Sequence, residues 1–232
     1  MAMYINSNSV SLQAQTNLSN SQKALGSNIS RLSSGQRINV AADDAAGLGI
    51  SERLKAQIKS LSQASRNAND GVSMIQVAEG AMNEQSSLLV RLRELGVQSA
   101  NGTLGNAERG FIQAEADQLV QELDRISSVA EFNGTNMLAA GATAVDMQVG
   151  ANNGDTVSIA FSATDAATLG VNALDFSTAT GASTALDTLD TAIDALSSTR
   201  ATIGAAQNRL MVTINNLATA HVNISAANAR IR

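Results

Sequence analysis

Few side chains in this chain are placed to do chemistry. Asp43 and Asp44 are adjacent carboxylates, and paired carboxylates can share a hard divalent cation. No histidine or third carboxylate lies near them in sequence, so Asp43 or Asp44 reads instead as the cap of the next helix. A carboxylate there accepts from the free N–H groups of the first helical turn. His221 is the sole histidine. It has no neighbours arranged as nucleophile and base, and its heptad position marks it as a seam residue. Arg91 and Leu95 stand four apart, on one helix face. An exposed arginine beside an aliphatic side chain is a common anchor of protein interfaces. Catalysis therefore has no set of groups to work with, and these residues alone leave the purpose of the chain open.

Composition narrows the elements that can position them. Hydrophobic residues make up 44% of the 232, but aromatics only 2%, and Pro, Cys and Trp are absent. Leu, Ile, Val and Ala suit narrow seams between helices. Without proline nothing breaks a long helix. Without cysteine there are no disulfides or thiolate metal sites. A net charge of −5 with scattered Lys and Arg gives no basic surface for nucleic acid. No stretch approaches the roughly 20 apolar residues that span a bilayer, and Met1 to Ser9 lacks the pattern of a Sec-type leader.

Two heptad series organise the chain. Leu189, Leu196, Ile203, Leu210, Leu217, Ile224 and Ile231 recur every seventh residue, with Ile193 and Ile214 between them. Such a repeat stays on one face only where helices supercoil together, so one long helix is expected through residues 189–231. Leu54, Leu61, Ala68, Ile75, Met82 and Leu89 form the second series, joined by Ile58 and Val72. It predicts a helix over 45–101 that runs straight through Asp70-Gly71, because a turn there would break the phase. Ala64, Ala68 and Ala78 leave room for close approach. The two series are expected to pack as antiparallel partners.

A shorter helix is expected over 106–129, burying Phe111, Leu119, Leu123 and Ile126. Residues 131–136 carry turn chemistry, with Phe132 as an anchor. Alternation at 145–149 and 156–161 around Asn152-Asn153-Gly154-Asp155 predicts a hairpin, and 162–182 reads as a small-residue loop. Near the start, Leu18, Leu25, Ile29 and Leu32 mark an amphipathic helix in need of a partner, stopped at Gly35. Met3, Met74, Met82, Met137, Met147 and Met211 read as gap fillers. The expected fold is mainly α: a long antiparallel, coiled-coil-like bundle with a small β-hairpin region. A terminal-helix segment and connector occupies 1–42, and a helical core domain 43–232, with the hairpin at about 143–161.

Particular motifs go further. Arg31 to Asn39 (RLSSGQRIN) and Ala41 to Ser51 (AADDAAGLGIS) closely resemble the N-terminal signature of bacterial flagellins. Arg91 to Gln98 (RLRELGVQ), Asn101-Gly102, Phe132-Asn133-Gly134 and Gly204 to Arg209 (GAAQNR) follow in that family's order. The resemblance implies a non-enzymatic subunit of the extracellular flagellar filament, exported unfolded through the flagellar type III pathway. Implied partners are further copies of the chain, hook-associated proteins, an export chaperone and vertebrate Toll-like receptor 5, with neither nucleic acid nor membrane among them. No cofactor is implied. Arg91, Leu95 and Glu115 match the positions of receptor and protofilament contact; Val90 stands where strongly recognised relatives often carry Gln. The alternative pairing for Arg91 and Arg93 is with Glu94 and Glu84.

The resemblance also implies several more helical turns after Arg232, the usual partner of residues 1–40 and the usual chaperone site. The chain is thus expected to be a short form without outer domains and with an abbreviated C-terminus, and not to grow normal filaments alone. Two rivals are a hook–filament junction protein and a protease carried in the central region. The second lacks a His-Glu helix motif and room for a catalytic domain.

Overall fold

The structure, a computed structural model, describes residues 8–232; what was expected of Met3 lies outside the described residues. Among the described residues there are four helices, α1 (Ser9–Ser34), α2 (Ala45–Ala100), α3 (Asn106–Val129) and α4 (Ala179–Ile231), with strands β1 (Glu131–Phe132), β2 (Thr135–Asn136), β3 (Val145–Gln148) and β4 (Thr156–Ile159) between α3 and α4. The chain falls into two units. One comprises Met1–Ser60 with Thr219–Arg232, the other Leu61–Ala218. The boundary anticipated at residue 42 lies inside the first unit.

In the larger unit, α2 and α4 run antiparallel. Gly71 faces Leu210, Arg93 pairs with Asp190, and Gly96 faces Leu186, so each step forward on α2 is a step back on α4. Leu61, Ile75, Met82 and Leu89 are buried from one side of the seam, and Leu189, Leu196, Ile203, Leu210 and Leu217 from the other. Each such aliphatic contributes about 1.5–3 kcal/mol of transfer free energy before entropy is counted. The heptad of α2 does continue through Asp70-Gly71. A Cβ on Gly71 would lie 3.2 Å from Leu210 Cδ1 and 3.4 Å from Met147. Glycine there costs about 1 kcal/mol of helix propensity and lets α2, α4 and β3 approach at one point.

Helix α3 packs on this pair with a face that keeps the expected Leu123 but takes Ile112 in place of Phe111. It buries Arg109, Ile112, Ala116, Leu123 and Ser127. Phe111 is 78% exposed, because each residue turns the chain by about 100° and Ile112 occupies the inward position. Leu119 packs at the core's edge. Glu122 and Arg125 share a face, paired at 2.6 Å.

The hairpin lies where expected, with Val145 opposite Ile159 and Gln148 opposite Thr156. Val157 and Ile159 are buried beneath it, and the Gln148 carbonyl accepts from Asn67 Nδ2 at 3.0 Å. A second, shorter ladder pairs β1 with β2 around Asn133-Gly134, both at positive φ, which suits a two-residue hairpin turn. Phe132 is half-buried against the core there. Residues 162–178 are not a loose loop. Ala166, Val171 and Phe176 are fully buried. Thr164 and Gln85 exchange two hydrogen bonds, at 2.8 and 3.2 Å, inside the core. Gln113 accepts from Phe176 N–H at 2.6 Å and donates to the Leu174 carbonyl at 3.0 Å, and Asp124 accepts from Ala166 N–H at 2.7 Å. This strap covers one side of the helices. Of the methionines, Met74, Met82 and Met137 are buried fillers, while Met211 is 53% exposed and fills nothing.

In the smaller unit, α1 ends at Gly35 with φ +68°, the left-handed stop its sequence predicts. Asp44 caps α2, accepting from Gly47 N–H at 2.9 Å. Asp43 has a different task. It accepts from the Asn39 and Val40 N–H groups and pairs with Arg31 at 2.7 Å, which closes the connector. The Arg31 hydrogen bond, then those two backbone donors, hold the Asp43 carboxyl below its ordinary range. The Arg37 N–H donates to the Arg232 carbonyl, and Arg232 pairs with Glu52 at 3.4 Å. Leu54 at one end of its heptad series, and Ile224 and Ile231 at the end of the other, are half-buried in this unit, as is His221.

Candidate protein-contact surfaces

Two surfaces present side chains suited to protein contact. The first joins α2 to α3 within the larger unit. Arg91 Nε and Nη2 both donate to Glu115 Oε1, at 3.1 and 2.8 Å, and Nη1 donates to Glu94 Oε2 at 3.1 Å. Glu115 first and Glu94 second raise the guanidinium's pKa above its ordinary value; the group is charged in any case. All three side chains are about half exposed, and exposed pairs of this kind add little stability. Their effect is to fix a planar cation and two carboxylates in one orientation at the surface, at low entropic cost to an incoming partner.

Leu95 does not belong to that surface. It is 1% exposed and part of the hydrophobic core, so the expected triad is reduced to Arg91 and Glu115. The four-residue spacing is real, but Leu95 sits far enough round the helix to enter the seam beside Leu92. Arg93 does not pair with Glu84. It crosses to Asp190 on α4, at 2.6 Å. The aliphatics that do stay exposed on this part of α2 are Val90 and Val97, and Phe111 is exposed on α3.

One buried charged side chain, Arg109, is not foreseen from the sequence. Arg109 is 6% exposed. Its Nε donates to the Ser99 carbonyl at 2.9 Å and Nη2 to the Asn101 carbonyl at 3.0 Å. It thereby satisfies one carbonyl in the last turn of α2 and one just past its end, where a positive charge also meets the negative end of the helix dipole. The only hint was its place three before Ile112, a position at which arginine is rarely read as core.

The second surface is α1 itself. None of its residues is buried, and Leu18, Leu25, Ile29 and Leu32 are between 58% and 87% exposed. Asn8 caps its start through Ser11 N–H. The helix is thus well terminated at both ends while its apolar stripe remains open.

Among the described residues no group of three or more His, Asp or Glu side chains is placed to hold a metal, and no helix is long and apolar enough to cross a membrane.

Comparison with known proteins adds the family. Residues 5–143 match the model of the bacterial flagellin N-terminal helical region, and residues 186–232 that of the C-terminal helical region. The flagellin of Halalkalibacterium halodurans is 43% identical over 99% of this chain and 85% of its own length. The chain spans only 35% of the Salmonella paratyphi A flagellin, which it also matches. In structure, 70% of the chain superposes on 94% of Bacillus cereus flagellin with a TM-score of 0.61 and 29% identity. A putative flagellar hook-associated protein of Vibrio parahaemolyticus superposes at 0.70 but is 14% identical, which shows the fold alone. With both of its terminal regions matched in order, the chain belongs to the bacterial flagellin family.

Proposed function

We propose that the open stripe of α1 is the surface by which this chain docks onto further flagellin subunits. As a flagellin it is a structural, non-enzymatic subunit of the extracellular filament. The observation that carries the docking assignment is that α1 buries nothing while four large aliphatics at heptad and half-heptad spacing face solvent. A helix of such polar composition is marginal without a partner, and exposed apolar stripes of this kind mark protein contact. Hook-associated proteins and an export chaperone are the further partners the family implies.

The test is seeded docking. Labelled chain is mixed with sheared filament fragments and sedimented. The parent chain is expected to co-sediment, and Leu25→Glu with Ile29→Glu to remain in the supernatant. Equal co-sedimentation of the double variant would remove α1 from the contact.

The Arg91–Glu115 pair supports a second reading, recognition by Toll-like receptor 5. The fixed guanidinium is the feature a receptor would engage, with Val90 in place of a polar neighbour making for a weaker ligand. Arg91→Ala should raise the receptor's Kd roughly tenfold or more, the scale of an interface hot spot. Leu95→Ala should act chiefly by destabilising the fold. An unchanged Kd for Arg91→Ala in a titration would end this reading.

A further inference from the structure

The chain holds three Asn–Gly pairs, at 101–102, 133–134 and 153–154, and the structure gives each a different freedom to react. Glycine has no Cβ to shield its backbone nitrogen. That nitrogen can attack the preceding Asn carboxamide carbon wherever the two torsions between them are free to close a five-membered ring.

At Asn101 they are not free. Its Oδ1 accepts from Thr103 N–H at 3.1 Å, and its carbonyl accepts from Arg109 Nη2 at 3.0 Å and Leu104 N–H at 3.3 Å. At Asn133 the backbone is held in the left-handed conformation, φ +51°, inside a two-residue turn closed by the pairing of Phe132 with Thr135. Ring closure would break that ladder.

Asn153 is exposed at the tip of the β3–β4 hairpin, with exposed residues on either side. No hydrogen bond engages its carboxamide or the Gly154 N–H among the described residues. The Asp155 carboxylate is occupied with Asn152, accepting from its N–H at 3.0 Å and its Nδ2 at 3.1 Å. Gly154 itself has φ +87°, so its peptide lies in a turn and not in a ladder.

We propose that Asn153–Gly154 is a site of spontaneous modification, at which the carboxamide converts to a carboxylate as the protein ages. The Gly154 nitrogen bonds to Asn153 Cγ, the Cγ–Nδ2 bond breaks, and Nδ2 leaves as ammonia carrying the former Gly154 proton. Water then opens the succinimide at either carbonyl, leaving aspartate or isoaspartate. The only co-reactant is water. The product adds one negative charge beside Asp155 on an exposed tip, while Val157 and Ile159 beneath it stay buried. The fold is retained and the surface changes.

The test incubates the full chain in mildly alkaline buffer at physiological temperature, with peptide mapping by mass spectrometry at intervals. A gain of about 1 Da is expected first at the peptide containing Asn153. It should lead those containing Asn101 and Asn133 by about tenfold, since both of those must first lose hydrogen bonds. Part of the product should accept a methyl group from an isoaspartate-specific methyltransferase, and Asn153→Gln should remove both signals. Conversion led by Asn101 or Asn133, or an unchanged Asn153 peptide while a free Asn–Gly peptide converts in the same buffer, would overturn the proposal.

Discussion

Helices α1 and α3 are nearly equal in length, 26 and 24 residues, and both carry one apolar face. Their fates are opposite. α3 buries five residues, two of them the polar Arg109 and Ser127, while α1 buries none. The difference teaches that periodicity establishes a face without naming what covers it. α3 has residues 61–100, 179–218 and the strap 162–178 within its own unit. α1 is capped and hydrogen-bonded to its connector through Asn39 and Ser30, at 2.8 Å, yet its stripe meets no cover.

That contrast can be broken or sharpened by substitution, beginning with the largest effect. Leu89→Ala, at a fully buried seam position, should cost about 2–5 kcal/mol, read as a lowered midpoint in urea at unchanged slope. Gly71→Val places three carbons against Leu210 and Met147 and should cost about 1–3 kcal/mol by overpacking. Thermal melts compared with Gly80→Val would separate this from helix propensity, because a Cβ at Gly80 meets nothing. Gln85→Leu leaves the Thr164 carbonyl and hydroxyl without partners in the core, at about 1–3 kcal/mol, and should speed hydrogen exchange in the strap first. By contrast, Leu25→Glu with Ile29→Glu in α1 should move the unfolding midpoint of the unpolymerised chain by no more than about 0.5 kcal/mol.

The smallest effect concerns pH. Arg93 holds the Asp190 carboxyl below its ordinary value, chiefly by a hydrogen bond. A depressed folded-state pKa contributes stability above the unfolded pKa and loses it as pH falls through the folded value. Stability should therefore decline slightly as pH drops through the ordinary carboxylate range and below. Arg93→Ala should flatten that decline, and because the pair is exposed the change should shrink in high salt.

Much of the fold was legible because heptads report phase over long distances. The unbroken series across Gly71 follows from that phase, while the stop at Gly35 and a cap at Asp43 or Asp44 follow from local chemistry. Leu95 reads as a surface contact because it matches the family's contact positions and lies four residues from Arg91, but only the neighbouring helices decide which side of that face is covered. Phe111 and Ile112 offered two overlapping patterns, and the larger side chain pointed to the wrong one. Arg109 and the Gln85–Thr164 pair were invisible because buried polar residues are recognised by their partners, which lie far away in sequence or on carbonyls. The strap looked like a loop because its small residues hide Phe176, whose burial depends on Gly96 leaving room for its ring.

Hydrogen exchange of the unpolymerised chain, followed by mass spectrometry, tests the central claim most directly. Residues 9–34 should exchange within the fastest class, while 61–100 and 179–218 should require near-global unfolding. Docking on filament seeds should then slow residues 9–34 selectively. Strong protection of residues 9–34 in the free chain, equal to that of α3, would mean that the stripe is already covered and would contradict the account.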